Sequence, residues 1–409
     1  MKILMVISYF LPEIGSAAHV YFDLARAFVK KGHEVDIITS YPREFNLDKG
    51  DIGKEFPLED VIEGVKIHRC RHYAKRDNIF LRGLEHFLLS RYYFKTFKKI
   101  DKRFDVCLIY IPPLPLYYFA RKIKKYDGTP SVLNFQDFHP QELTDVGVMK
   151  NRLMIKIMER IERKSYKNAD YITVLSHGGI DYVVSRGGDH NKIKHIYNGI
   201  DLIDLNNIKM DFKKKEGIED KFLISYAGIL SPFQGIDNLL DVAKKLIDYK
   251  DIVFYIVGDG VVKNHLEDRI RNEGIFNVNL LPLQPRGEYF NIVNSSDISF
   301  VSLDIRMKAP CLPGKLIYLM GVRQPIIASV PIDSETAHVI NKAENGVVVE
   351  SGNVDKLSKS ILELKNDEEL RKKMGFNGQL FLEKNMNLER NVAKYNKIFK
   401  IICDNTSEI

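Results

Sequence analysis

Residues 221–260 read KFLISYAGILSPFQGIDNLLDVAKKLIDYKDIVFYIVGDG. KFLISYAGI (221–229) is an apolar run of strand length that ends near a glycine. IDNLLDVAKKLI (236–247) has the spacing of an amphipathic helix, and IVFYIVGDG (252–260) is a second apolar strand. Strand, helix and strand joined by short turns form a βαβ unit. The strands are apolar throughout, as a parallel sheet covered on both faces requires. Downstream the pattern continues with a helix at about 261–273, VNLLPLQ (278–284), a helix at 287–294, ISFVSL (298–303), a helix at 314–322 and PIIASV (325–330). Upstream it appears a first time, in KILMVISYF (2–10), EVDIITS (34–40), VCLIYI (106–111), SVLNFQ (131–136), YITVLS (171–176) and IKHIYNG (193–199). Between the first two strands, Ala17, Tyr21, Leu24, Ala25 and Phe28 share one helical face, and a long helix is expected at roughly 149–167.

The polar, aperiodic stretch around 205–218 divides the two series. This predicts two doubly wound α/β domains, 1–205 and 206–385. Leu388, Val392, Tyr395, Ile398, Phe399 and Ile402 form an apolar stripe, so 386–409 is expected to be a helix that returns to the first domain. The length of 409 residues suits two cores. Apolar residues at 45% and charged residues at 28% exclude disordered and fibrous classes. Cys70, Cys107, Cys311 and Cys403 are widely spaced, which excludes a disulfide scaffold or thiolate zinc site and fits a reducing compartment. No apolar run reaches the ~18 residues of a membrane span. MKILMVISYF reads as a buried strand rather than a signal peptide.

The net charge of +7 is concentrated. Residues 66–105 carry 12 basic and 4 acidic residues, a local excess of eight. Within them, IFLRGLEHFLLSRYYFKTFKKI (79–100) mixes aromatic and aliphatic residues with Arg82, Arg91, Lys95, Lys98 and Lys99. Such a helix suits a membrane interface, with rings among the headgroups and cations against anionic lipid. The competing account buries Phe87, Leu88 and Phe94 in the core and leaves a solvated basic face. No nucleic-acid reader motif accompanies the patch, so no nucleic-acid partner is expected.

Several turns carry candidate chemistry. SYFLPEIGSAAH (8–19) leads through Gly15 and Ser16 into a helix start, where backbone N–H groups attract phosphate. NFQDFHPQEL (134–143) sets Asp137 and His139 directly after a strand, where open α/β sheets bind ligands. The same Asp could instead cap a turn. HIYNGID (195–201) places Asn198 in another polar turn. Gly228 and Gln234 follow the 221–229 strand, and Lys315 opens a helix after PCLPG. A cation at a helix start is unfavourable unless an anion shares the site, and phosphate is the natural candidate. There is no GxGxxG fingerprint; GDG (258–260) does not supply it. No HxxxH or DxD spacing points to a metal.

In order and spacing these segments resemble family-4 glycosyltransferases, which have the GT-B fold of two facing Rossmann-like domains and a C-terminal crossover helix. FQDFHPQEL is similar to that family's D-x-x-P-x-x-L, NGID to N-G-[VI]-D, YAGILSPFQGIDNLL to G-N-x-G-x-x-Q-G, and PGKLIYLMGVRQPIIAS to P-S-K…G-x-P-I-I-A-S. The likeness is greatest to the bacterial surface-polysaccharide branch with fucosyl- and N-acetylfucosaminyl-transferases. It implies retaining transfer of a sugar from a nucleotide-sugar donor to a lipid-linked or glycan acceptor, without metal or other cofactor. The enzyme would sit in the cytoplasm, peripheral to the inner face of the membrane through residues 79–103.

By the same resemblance Asp137 and His139 lie near the reacting sugar. Gly15, Ser16, Asn198, Gly228, Gln234, Lys315 and Tyr318 contact a donor held in the cleft between the halves, mainly by the second. Two departures stand out. The family's glutamate pair is Pro310 and Tyr318 here, and its cations after the Gly228-type glycine are Leu230 and Gln234. A nucleotide-sugar epimerase, a dinucleotide oxidoreductase and a non-catalytic binding subunit are rivals on the same sheets. The absent GxGxxG counts against the oxidoreductase.

Overall fold

The structure, a computed structural model, describes residues 1–43, 47, 49–71, 79–200 and 211–407. The chain forms two compact units. One comprises Met1–Gly199, Pro310–Leu312 and Asn387–Ile409, and the other Ile200–Ala309 and Pro313–Met386. Of the stretch read as the boundary, 201–210 lies outside the described residues.

The first unit runs β1 (Lys2–Val6), α1 (Ser16–Lys30), β2 (Glu34–Ser40), β3 (Glu59–Ile62), β4 (Val65–Cys70), α2 (Ile79–Phe97), β5 (Val106–Ile111), α3 (Tyr117–Asp127), β6 (Ser131–Phe135), α4 (Gln141–Asp145), α5 (Arg152–Asn168), β7 (Tyr171–Val174), α6 (His177–Ser185) and β8 (Ile193–His195). Its sheet order is β3-β4-β2-β1-β5-β6-β7-β8, parallel except for β3 against β4. That hairpin was not anticipated. Its strands are too polar to read as strands, and it turns on Glu63 and Gly64, both at positive φ (46° and 82°), the backbone that two-residue hairpin loops need. Crossovers to β5, β6 and β7 all run one way along the sheet, whereas β1 to β2 runs the other. Right-handed connections therefore put α2, α3 and α5 on one face and α1 on the opposite one.

The second unit runs α7 (Phe212–Glu216), β9 (Phe222–Ala227), α8 (Asp237–Lys245), β10 (Ile252–Val257), α9 (Lys263–Glu273), β11 (Val278–Leu281), α10 (Arg286–Ser295), β12 (Ile298–Ser302), α11 (Lys315–Gly321), β13 (Ile326–Val330), α12 (Glu335–Ala343), β14 (Gly346–Glu350), α13 (Val354–Asn366) and α14 (Glu368–Asn385). Its parallel sheet has the order β11-β10-β9-β12-β13-β14. Strand order reverses direction between β1 and β5 in the first sheet and between β9 and β12 in the second. These switch points open crevices at the carboxyl ends of the strands.

The last helix, α15 (Leu388–Ser407), belongs to the first unit and packs on α1. Phe399 lies 5.6 Å, ring to ring, from Phe28, and Tyr395 6.0 Å. Val392, Tyr395, Ile398, Phe399 and Ile402 are all buried in the same core as β1 and α1. The Tyr395 hydroxyl also accepts a bond of 3.1 Å from Asn134 Nδ2 inside β6.

On α2 the buried ridge is Leu89, Tyr93 and Phe97, at spacing of four. The proposed core residues Phe87, Leu88 and Phe94 are only half-buried, and Arg91, Lys95, Lys98 and Lys99 are exposed. The side chains of 79–84 lie outside the description. Among the described residues no helix is long and apolar enough to cross a membrane.

Shortening Phe399 to Ala should destabilise the first unit by about 3–5 kcal/mol through the cavity left against Phe28. Tyr395→Phe should cost roughly 1–3 kcal/mol, because it strands a buried Asn134 donor. Urea titration of both variants checks this, and a wild-type midpoint for Phe399→Ala would remove α15 from that core.

Candidate functional site

In the first unit β6 delivers the turn 137–142 to the sheet's carboxyl rim. Phe138 is its anchor. The ring is 1% exposed and packs 4.6 Å from Tyr182 and 6.2 Å from Phe135. With Phe138 turned inward, the Phe138 N–H donates 2.7 Å to Glu142 Oε1, which ties the turn to the start of α4. The ligating atoms of Asp137, His139 and Glu142 all lie within 4.8 Å of one another. Glu142 was not singled out from the sequence, since beside a proline turn it reads as an ordinary helix-start acid.

Burial governs the charge here. It pushes the Asp137 carboxyl up to about 6. Glu142 is raised further above the usual carboxylate range, by burial first and then by the Asp137 charge. His139 is pushed down to about 4, by burial and then by His86, so the ring is neutral near pH 7. Among the described residues this trio alone could converge on a metal ion, although its D-x-H-x-x-E spacing did not read as a ligand set. A cation there would need both carboxyls ionised, which burial opposes.

The β1–α1 loop closes on the same rim. A Cβ on Gly15 would stand 3.1 Å from the Tyr9 ring, which also lies under the Arg43 guanidinium at 5.6 Å. Burial, and then the Asp137 charge, raises the Tyr9 hydroxyl above its ordinary range. Arg43 Nε donates 3.0 Å to the buried Glu13. Ser16 is exposed at the first position of α1, whose start carries no side-chain cap and no acid in its first turn. Its N–H groups remain suited to an anion. Tyr9, Glu13 and Arg43 escaped the sequence reading because only the folded loop brings them to Asp137.

Asn198, half-buried, is positioned by Gln136. Its amide exchanges two bonds with Gln136, 3.0 Å from Gln136 Nε2 and 2.6 Å to Gln136 Oε1. Gln136 in turn donates 2.6 Å to Asn134.

In the second unit three expected residues meet. Lys315 Nζ lies 3.8 Å from the centre of the Tyr226 ring and 3.3 Å from Gln234 Oε1. A Cβ on Gly228 (φ +155°) would stand 3.0 Å from that amine. The Tyr226 hydroxyl is 3.2 Å from Gln234 Oε1 and 3.0 Å from the Ile229 carbonyl. Lys315 forms no ion pair among the described residues. Its side chain keeps some surface, but the amine is enclosed, and burial lowers it to about 7. Tyr226 was missed because a tyrosine inside an apolar strand reads as core.

The glycines of GDG serve packing. A Cβ on Gly258 or Gly260 would collide with the carbonyl of Gly228 or Leu230, so they let the second strand-end loop lie flush against the first. Tyr318 is 6% exposed, its ring between Phe290 (5.6 Å), Tyr289 (6.4 Å) and the Arg286 guanidinium (5.8 Å). Arg323, at the position of the G in G-x-P, bonds Gln379 at 2.6 Å.

Comparison with known proteins covers both units. A family model described as glycosyltransferase family 4 matches residues 15–203, and one described as glycosyl transferases group 1 matches 208–381. An uncharacterized glycosyltransferase of Methanocaldococcus jannaschii is 24% identical over 98% of each chain. A putative colanic acid biosynthesis glycosyl transferase of Escherichia coli is 22% identical over 79% of this chain and 81% of its own. Among solved structures, sucrose-phosphate synthase from Thermosynechococcus elongatus superposes with a TM-score of 0.76 at 14% identity, over 98% of both chains. An Anabaena protein in complex with UDP and glucose does so at 0.71 and 16%, over the whole of both. The fold is GT-B.

Competitive amine acetylation read by mass spectrometry should give Lys315 a titration midpoint near 7. A midpoint at the ordinary lysine value of about 10.4 would show that the amine is solvated.

Proposed function

We propose that the chain, whose halves match the family-4 and group-1 glycosyltransferase models, moves a sugar, with retention, from a nucleoside-diphosphate donor to a lipid-linked or glycan acceptor of surface-polysaccharide synthesis. The observation that carries this reading is the Lys315 amine, enclosed at the second sheet's switch point with no carboxylate partner among the described residues. A buried amine with only an aromatic face and an amide oxygen around it lacks a counter-ion, and a diphosphate supplies one. The relative described for colanic acid biosynthesis and the UDP complex of the Anabaena protein support the surface-polysaccharide and nucleotide parts of the reading.

The chemistry follows from the charge states. The bond to the donor diphosphate breaks ahead of the new bond, and the acceptor oxygen enters the anomeric carbon on the face that the diphosphate leaves, so the configuration is kept. Lys315, protonated by the incoming phosphate's field, stabilises the departing charge. The acceptor proton passes to Asp137, whose raised pKa suits a base near neutrality. Neutral His139 offers a hydrogen bond without competing for that proton. No metal takes part in this scheme. Peripheral attachment to the inner membrane face uses Arg91, Lys95, Lys98 and Lys99 of α2, each worth about 1 kcal/mol near an anionic leaflet.

Lys315→Ala should weaken nucleoside-diphosphate binding by roughly 1.5–3 kcal/mol, and an unchanged affinity by calorimetry would remove Lys315 from the site. The wild-type affinity should fall as pH rises through 7, since the free amine is then neutral and must take up a proton on binding.

Asp137→Asn should keep the melting temperature and lose most of the turnover. In the wild type, turnover should fall as pH drops through about 6, where Asp137 protonates. Full activity in the variant would overturn the assignment, and a large loss of stability would favour a capping role. Thermal-shift scans with UDP and GDP identify the base, because the bound nucleotide stabilises the fold by mass action.

A further inference from the structure

We propose that α5, not α2, is the element that inserts apolar side chains into an anionic bilayer. The inference deepens the membrane attachment proposed above and rests on it.

The core face of α5 is clear. Met158, Ile161, Glu162, Ser165 and Tyr166 are buried. At about 100° per residue, the opposite arc carries Arg163, Lys156, Lys167, Arg160, Leu153, Lys164 and Ile157 in angular order. The arc contains five cations and no acid. None of the five cations forms an ion pair among the described residues. Leu153 is 69% exposed and Ile157 41%, and Val148 just upstream is 53% exposed. The cations frame a depression of about 500 Å³ together with Glu159 at its edge. Open aliphatic side chains set among five cations without an acid on the arc are the combination an interfacial helix uses.

On α2 the division differs. Leu89, Tyr93 and Phe97 are spent on the core. Phe94 is half-buried, stacked 6.2 Å from Phe97 and edge-on to Tyr126 at 5.6 Å. What α2 offers outward among its described side chains is mainly charge. The two helices lie on one face of the sheet, and the short turn Leu114–Leu116 packs against both. One lipid plane along that face meets the cations of α2 and the aliphatic residues of α5. Nucleic acid would match the charge but leave Leu153 and Ile157 without a role, so an anionic lipid surface is the occupant the arc fits.

The chain contains no tryptophan, so Leu153→Trp introduces a single indole, excited to the red of the 20 tyrosines. With vesicles containing phosphatidylglycerol, its emission should shift to shorter wavelength, and the shift should survive high salt. Leu153→Glu combined with Ile157→Glu should abolish flotation at high salt, retain it at low salt, and leave the melting temperature and transfer to a water-soluble acceptor unchanged.

Emission that stays put on vesicles that do float the Leu153→Trp protein would overturn the role of α5 while sparing attachment through α2. Wild-type protein that ignores such vesicles even at low salt would sink both readings. A shift that grows with protein concentration, without lipid, would mean that a second copy covers the arc, and would refute the proposal.

Discussion

Asn134 sits in the middle of β6, 1% exposed, and uses its whole hydrogen-bonding capacity. Its oxygen accepts from Tyr21 on α1 (3.3 Å) and from Gln136 (2.6 Å), and its nitrogen donates to Thr173 on β7 (2.9 Å) and to Tyr395 on α15 (3.1 Å). A polar side chain inside an otherwise apolar sheet is tolerable only when every partner is in place, because each stranded group costs about 1–3 kcal/mol. The network therefore fixes α1, β7 and the returning helix relative to one strand. That strand ends two residues before Asp137. Through Gln136 the same network also holds Asn198, so the polar rim of the first unit is built outward from a core amide. The Asn198 amide supports the turn carrying Asp137 through its two bonds with Gln136.

What could be read in advance follows from which signals are local. Strands such as VCLIYI are apolar along their length, and such runs mark themselves. The α15 stripe was legible because the helical period persists over four turns. The hairpin β3–β4 was not, because an edge pair is half-solvated and its alternation in EDVIEGVKIHRC is diluted by charge. In α2 the apolar residues are so dense that several helical faces fit them. Only the packing picks the ridge of Leu89, Tyr93 and Phe97.

The site residues divide in the same way. Asp137, His139, Gly228, Gln234 and Lys315 were visible because polar or special residues stood at strand ends. Tyr226 and Tyr9 look like core from the sequence, and Glu142 looks like a helix start. Their roles exist only through contacts across turns, such as the Tyr226 ring beneath an amine 89 positions later in the chain.

The departures from the family pattern remove a charge at each of four positions. The resemblance leads one to expect two glutamates at 310 and 318 and cations at 230 and 234; the chain has Pro310, Tyr318, Leu230 and Gln234. Lys315 then remains with a ring face and an amide, a neutral setting that lowers its pKa to about 7 instead of demanding a permanent counter-ion. Leu230 and Tyr318 are packed instead, the first fully buried beside Gly258 and Gly260 and the second among Tyr289, Phe290 and Arg286. The crevice at Lys315 offers that amine no carboxylate among the described residues. Its affinity for an anion then depends on whether the ligand's charge is large enough to recharge Lys315, a condition that a diphosphate meets and a single carboxylate meets poorly.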